Sequence, residues 1–180
     1  MKKGHWLLTI ALALLVAVPA VAQQATIGVY FDAAGTQTTG VFNGGYDVVH
    51  TAYLIGFVET FVGGAACKVA LDSHILLLGA VYPPGVQIGD LLAGVEIGFT
   101  EPILGYFGQP VVMATLQLFT GANLLVNGEI NVLPFTPKYS EVLLADVNGT
   151  LIPATGLTSL LTIPVATEAN SWSQVKDLYR

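Results

Sequence analysis

Nucleophilic catalysis needs a base within reach of a serine or cysteine and a carboxylate behind it. Apart from His5 near the start, the bases on offer are His50 and His74. His50 stands in the apolar stretch 46–57, where a hydrogen-bonded strand histidine is a simpler reading than a base. His74 directly follows Asp72-Ser73 in a turn. No Gly-x-Ser-x-Gly elbow occurs, and no His/Cys/Asp/Glu group has zinc spacing. The acids Asp32, Asp47, Glu59, Asp72, Asp90, Glu96, Glu101, Glu129, Glu141, Asp146, Glu168 and Asp177 are scattered singly. A glycosidase needs two carboxylates converging across a sugar. None of these is flanked by the aromatic clustering of a sugar cleft, so they read as surface solvation. Tyr82, Phe99, Tyr106 and Phe107 fall near expected loops, where they would form a sugar-stacking platform or, as we favour, cap the open ends of a β-structure. Asn148-Gly149-Thr150 matches a glycosylation sequon but reads better as a tight turn. No catalytic residue, metal or cofactor is expected.

The start of the chain sets the compartment. Lys2 and Lys3 precede an apolar run over 6–18, then Pro19-Ala20-Val21-Ala22 and Gln23. This is the three-part pattern of a bacterial-type signal peptide over 1–22, with small residues Ala20 and Ala22 fitting the peptidase and cleavage before Gln23. A run ending at Val18 falls short of the roughly 20 residues that cross a bilayer, so no membrane span is expected after cleavage. Losing Lys2 and Lys3 leaves four basic side chains against twelve acidic ones, a net charge of about −8. Such a surface has no footprint for nucleic acid. Cys67 is the sole cysteine, so there is no intramolecular disulfide although export would permit one. The expected location is secreted: periplasmic, extracellular or cell-surface associated.

These residues must be positioned by strands. Charged residues are 10% of the chain, and Val, Leu, Ile, Gly and Thr dominate the rest, punctuated by Pro and Gly. Strands are expected over 25–31, 46–57, 65–71, 75–81, 95–99, 111–119, 124–132, 142–146, 150–153 and 160–165, with loops at 35–45 and 100–110. Within 65–71, Ala65, Cys67, Val69 and Leu71 share one face, opposite Ala66, Lys68 and Ala70, which places the Cys67 thiol in the core. Val112, Ala114, Leu116 and Leu118 are likewise read as one face. Pro83-Pro84-Gly85 stops the preceding strand because two ladder donors are missing. Asn148-Gly149 between apolar arms supplies the positive φ angles of a hairpin. About nine strands at this spacing make an all-β, two-sheet antiparallel sandwich over 23–166. Residues 167–180 form a tail with a short C-terminal helix: Ser171 caps it with Gln174 three residues on, and Trp172, Val175, Leu178 and Tyr179 share one side. Too short to hold alone, it docks on its own domain, binds a partner, or frays.

The run Gly63-Gly64-Ala65-Ala66-Cys67-Lys68-Val69-Ala70-Leu71-Asp72, then Ile75-Leu76-Leu77, Val81 through Gly85 and Asp90-Leu91-Leu92, resembles the cohesin pattern. In that pattern a strand ending in an aromatic-Asp pair leads to a Val-Leu strand and a Gly-Asp-Leu loop; here Leu71 replaces the aromatic. Val95 to Phe99, Pro110-Val111-Val112-Met113-Ala114-Thr115-Leu116, and Asp146-Val147-Asn148-Gly149 with Leu160 to Ile163 continue the resemblance, which covers about 25–165. It implies a non-enzymatic sandwich. Cohesins bind dockerin modules through one sheet face, and related sandwiches bind carbohydrate. The equivalent face here would be the outward side of 65–71 with its neighbours 95–99 and 111–119. Dockerin binding is not itself predicted, and Asp146-Val147-Asn148-Gly149 lacks the further acids of a dockerin-type calcium loop. The expected partner is a protein or an extracellular polysaccharide, met by Lys68, Tyr82, Tyr106, Phe107 and Trp172.

Overall fold

The computed structural model describes residues 24–41, 49–120 and 128–162. Twelve strands follow in order: β1 Ala25–Tyr30, β2 Thr39–Val41, β3 Val49–Phe57, β4 Phe61–Leu71, β5 Ile75–Val81, β6 Gly85–Asp90, β7 Gly94–Leu104, β8 Val111–Thr120, β9 Gly128–Leu133, β10 Val142–Asp146, β11 Leu151–Gly156 and β12 Thr158–Thr162. A single 3-10 turn, Tyr106–Gly108, separates β7 from β8. The signal-peptide region and its cleavage site, the tail with Trp172, and expected strand residues 46–48, 124–127 and 163–165 lie outside the described residues.

One layer of the sandwich carries the order β5-β8-β3-β1, and the other carries β6-β7-β4-β9. Strand β10 pairs with the first half of β4 and with β11, which continues to β1, so the two layers are stitched along one side. Ladders are antiparallel except at β1 with β11 and β2 with β12, which are parallel. Parallel neighbours demand a crossover between layers, and no local residue pattern marks one. Between the layers lies one apolar core in which Ile27, Leu54, Cys67, Val95, Leu116, Leu118, Ile130 and Leu144 are fully buried.

Several boundaries differ from expectation for identifiable reasons. Gly63 and Gly64 belong to β4 rather than ending before it, because a Cβ at Gly63 would meet the Asp146 carbonyl oxygen at 2.8 Å and one at Gly64 the Ile97 oxygen at 2.5 Å. Glycine here is a requirement of close backbone approach. Strand β6 follows the two prolines at once and exposes every side chain. Strand β7 runs on through Thr100 to Leu104, where a loop was expected. In β8 the register shifts where Ala114 pairs with Leu54 and Val112 with Ile55. Met113 is the extra residue of that bulge, so Val111 and Met113 point inward with Ala114, Leu116 and Leu118, and Val112 leaves the face assigned to it.

The Asn-Gly hairpin forms where the sequence puts it. Asp146 Oδ1 accepts the Asn148 and Thr150 N–H groups, both at 2.8 Å, and Gly149 takes φ 79°. The Thr150 hydrogen bond, then that of Asn148, holds the Asp146 carboxyl below the usual carboxylate range despite slight desolvation.

Cys67 is completely buried, as its phase predicted, and burial pushes its thiol pKa up to about 12. Since only the thiolate attacks, thiol reagents at pH 7 are expected to label folded protein roughly a thousandfold more slowly than unfolded protein. Stopped-flow labelling with and without denaturant checks this, and comparable rates would place Cys67 at the surface.

Candidate binding face

The carboxylates, histidines and hydroxyls do not assemble an active site among the described residues. Asp72 Oδ1 and Ser73 Oγ both approach the same nitrogen of His74, Nδ1, at 2.8 and 3.3 Å. A relay would need the carboxylate and the hydroxyl on opposite ring nitrogens. Asp72 instead closes the β4–β5 turn by accepting the His74 N–H at 3.0 Å. That bond, then the one from the imidazole, holds its carboxyl low. His50 pairs with Leu118 across β3 and β8, and burial lowers its pKa.

What the structure does assemble is a sheet face. Side chains opposite one another across strands share a side. The pairings therefore give two outward rows across the second layer, Ala145–Gly64–Gly98–Val86 and Leu143–Ala66–Glu96–Ile88. The middle of both rows is small. Gly64, Ala66 and Gly98 form the floor of a depression of about 200 Å³ walled by Leu143, Leu151 and Tyr139. On the far side stand Val86 and Ile88 of edge strand β6, 65% and 60% exposed. Lys68, opposite Leu133, completes the face on β4.

The β9–β10 connection sets the polar end of this furrow. The Phe135 ring lies over Gly94, where a Cβ would come within 2.0 Å of it. Phe135 and Tyr139 pack edge to face, with ring centroids 6.2 Å apart. The Tyr139 hydroxyl donates to Glu96 Oε1, Lys138 Nζ pairs with the same oxygen at 2.7 Å, and the ammonium sits 5.4 Å from the Tyr139 ring centre. The bond from Lys138, then that from Tyr139, holds the Glu96 carboxyl below the usual range; the bond to Glu96 in turn raises the pKa of both partners. Glu96 is thus an anchor for the loop. Lys68 and Lys138 are the described cations, and both lie on this face.

The residues expected to meet a ligand divide. Lys68 is on the face. Tyr82, on the β5–β6 connection, is half-buried against the core, which raises its pKa, and Tyr106 packs edge-on against Phe61 at 5.8 Å. Each ring has its own neighbours, on different connections. Phe107 belongs to the 3-10 turn beside Tyr106, and Trp172 is outside the described residues. Of the strands assigned to the face, 65–71 and 95–99 are adjacent as expected, in β4 and β7. Strand β8 is not: it pairs with β3 and β5 in the opposite layer. Consecutive strands of a sandwich alternate between layers at the chain's choice, and an apolar strand looks the same in either. Sequence reading missed Val86, Ile88, Gly98 and the Glu96–Lys138–Tyr139 anchor; the Val-Gln-Ile alternation was the available signal, hidden behind Pro83-Pro84.

No family model matches the sequence, and no curated protein does. Solved structures do resemble it in fold. The cohesin CaCohA2 from Clostridium acetobutylicum is 16% identical with a TM-score of 0.52, over 80% of this chain and 93% of that one. A type II cohesin domain from the cellulosome of Acetivibrio cellulolyticus is 14% identical with a TM-score of 0.53, over 77% and 95%. A cohesin in a type I cohesin–dockerin complex from Clostridium thermocellum is 8% identical with a TM-score of 0.53, over 78% and 99%. The chain has a cohesin-like β-sandwich fold.

Proposed function

We propose that this chain is an exported, non-enzymatic interaction module that holds a protein partner on the outward face of β6-β7-β4-β10. The observation that carries the reading is the furrow. Strand interiors favour large β-branched or aromatic residues, yet Gly64, Ala66 and Gly98 lie side by side between exposed Val86 and Ile88 and the Leu143 wall. A contiguous apolar face with a polar rim is what a partner's side chains fill. The cohesin-like fold supports the same reading, since such domains have been solved with dockerins bound. The three-part leader supports export, and no helix among the described residues is long and apolar enough to cross a membrane. A polysaccharide platform is less well supported, because Tyr82 and Tyr106 are engaged with the protein's own core and Phe61.

A photo-crosslinking amino acid at Ile88, compared with one at Gln117 on the opposite layer, tests this in the cells that make the protein. A discrete protein adduct at Ile88 and not at Gln117 is expected. Adducts at Gln117 alone would put the binding face on the wrong layer, and an Ile88 adduct removed by glycosidases would change the partner's class.

A further inference from the structure

Strand β6 is an open edge. Among the described strands it pairs with β7 alone, and every one of its residues is exposed. The Thr100 N–H donates to the Pro84 carbonyl at 2.9 Å, which fixes the phase of the ladder. The register runs evenly from Gly85 opposite Phe99 to Asp90 opposite Gly94, so Val86 and Ile88 turn their backbone groups to β7 while Gly85, Gln87 and Gly89 turn theirs away from it. The Gln87 side-chain amide, reaching the Gly89 carbonyl at 3.0 Å, agrees with that direction. Sheet edges are commonly blunted by charge, proline or a covering loop. Residues 85–89 carry no charge and no proline.

The side chains along this edge read nearly the same in either direction: Gly85-Val86-Gln87-Ile88-Gly89. The two glycines are fixed by β7, since a Cβ at Gly85 would come within 1.9 Å of the Gly98 oxygen and one at Gly89 within 2.3 Å of the Gly94 oxygen. Two copies of the strand laid antiparallel about Gln87 therefore match. Gln87 then exchanges both backbone hydrogen bonds with its counterpart, and Gly85 meets Gly89, whose carbonyl keeps a second lone pair for the incoming N–H. Val86 lies opposite Ile88 in the close pair that does not hydrogen-bond. These two side chains are 65% and 60% exposed, and the pairing lines them up as one apolar row across the joint. Beneath the edge, toward β5, a slot of about 420 Å³ opens between the layers beside Val81, Tyr82 and Gln87.

Charge favours a second copy at this edge. The chain has a formal net charge of −6, so its copies repel one another. In this register the two Asp90 carboxylates stand about 20 Å apart along the strands, more than two screening lengths of about 8 Å. Glu96, the next acid on the face, is already paired with Lys138 at 2.7 Å.

We infer that β6 pairs with β6 of a second copy of this chain, antiparallel about Gln87, to form a symmetric dimer. One sheet then runs from β4-β7-β6 of one copy into β6-β7-β4 of the other. Its two-fold axis is perpendicular to the sheet, so both furrows open on the same face, and the second copy's edge covers the slot beside β5. The pairing is independent of what the furrow holds.

Sedimentation of the purified full chain is expected to show an equilibrium between monomer and dimer. Gln87→Lys sets two ammonium groups opposite each other at the axis and should weaken the dimer by about tenfold or more. Gln87→Pro removes an N–H that points away from β7, so the ladder within each copy survives while both central hydrogen bonds of the dimer are lost. Circular dichroism and the thermal melt of each variant should match the parent. Register is read by mixing Val86→Cys with Ile88→Cys, which should form a disulfide between the two variants about tenfold faster than either joins to itself; Cys67, being buried, stays out of the exchange. A chain that is monomeric up to about 1 mM overturns the inference. So does a dimer that survives Gln87→Lys in folded protein, or cysteine pairs that form without preference, since either puts the contact elsewhere.

Discussion

Gly98→Val is expected to abolish partner capture by the furrow, a loss of about thirtyfold or more, while leaving the sandwich at least as stable. The two effects have separate causes. A Cβ at Gly98 meets nothing closer than the Val86 carbonyl oxygen at 4.0 Å, so a side chain there enters open space on the outward face. A valine in a strand interior is favoured over glycine by up to about 1 kcal/mol, which for a chain of this size raises Tm by about 2–4 °C. The same two methyl groups fill the floor between Gly64 and Val86, and an occluded central pocket at an interface typically costs about 2 kcal/mol or more. Crosslinking yield from Ile88 and a thermal melt read both effects on one preparation. Undiminished crosslinking in a folded Gly98→Val protein would show that the furrow is not where the partner sits.

Gly156→Ala is expected to do the opposite, destabilising the fold by about 3 kcal/mol or more, at or beyond the upper end of ordinary overpacking. At the end of β11 the chain crosses toward β9, and a Cβ at Gly156 would stand 2.0 Å from the Val132 carbonyl oxygen and 2.8 Å from its carbon. Both atoms are backbone. Around them the Val132 N–H donates to the Leu157 carbonyl at 3.1 Å and the Leu157 N–H to that of Ile27 at 2.8 Å, so this junction ties β9, β1 and the β11–β12 link together. Relieving the clash must break one of these bonds. The loss should lower Tm by roughly 6–12 °C, measured by calorimetry; an unchanged melt would mean that β11 and β9 do not approach as closely as this.

The contrast between these glycines shows where sequence reading stops. Both stand in strands, and nothing in their flanking residues separates a glycine kept for open space from one required by a neighbouring backbone. Gly149 is different, because the Asn-Gly pair and the Asp146 cap are local and the turn is written in consecutive residues. Cys67 was legible for a similar reason, since its phase with Val69 survives along an unbulged stretch of β4. Val112 was not, because the bulge at Met113 exists only in the pairing with β3. The site divides the same way: Lys68 was placed by alternation, whereas Glu96, Lys138 and Tyr139 meet across 43 residues of sequence.

By itself, then, the order of residues determined an all-β chain of cohesin-like type, its clearest hairpin and its buried thiol, which rest on patterns within a few positions along the backbone. The tertiary structure decided which layer each strand joins, and so placed β8 in the layer opposite the candidate face, brought β6 to the edge of that face and left the furrow on β4 and β7 between β6 and β10. Layer assignment is set by hydrogen bonds and packing between strands far apart in the chain, and an alternating apolar strand satisfies either layer equally well until its partners are in place.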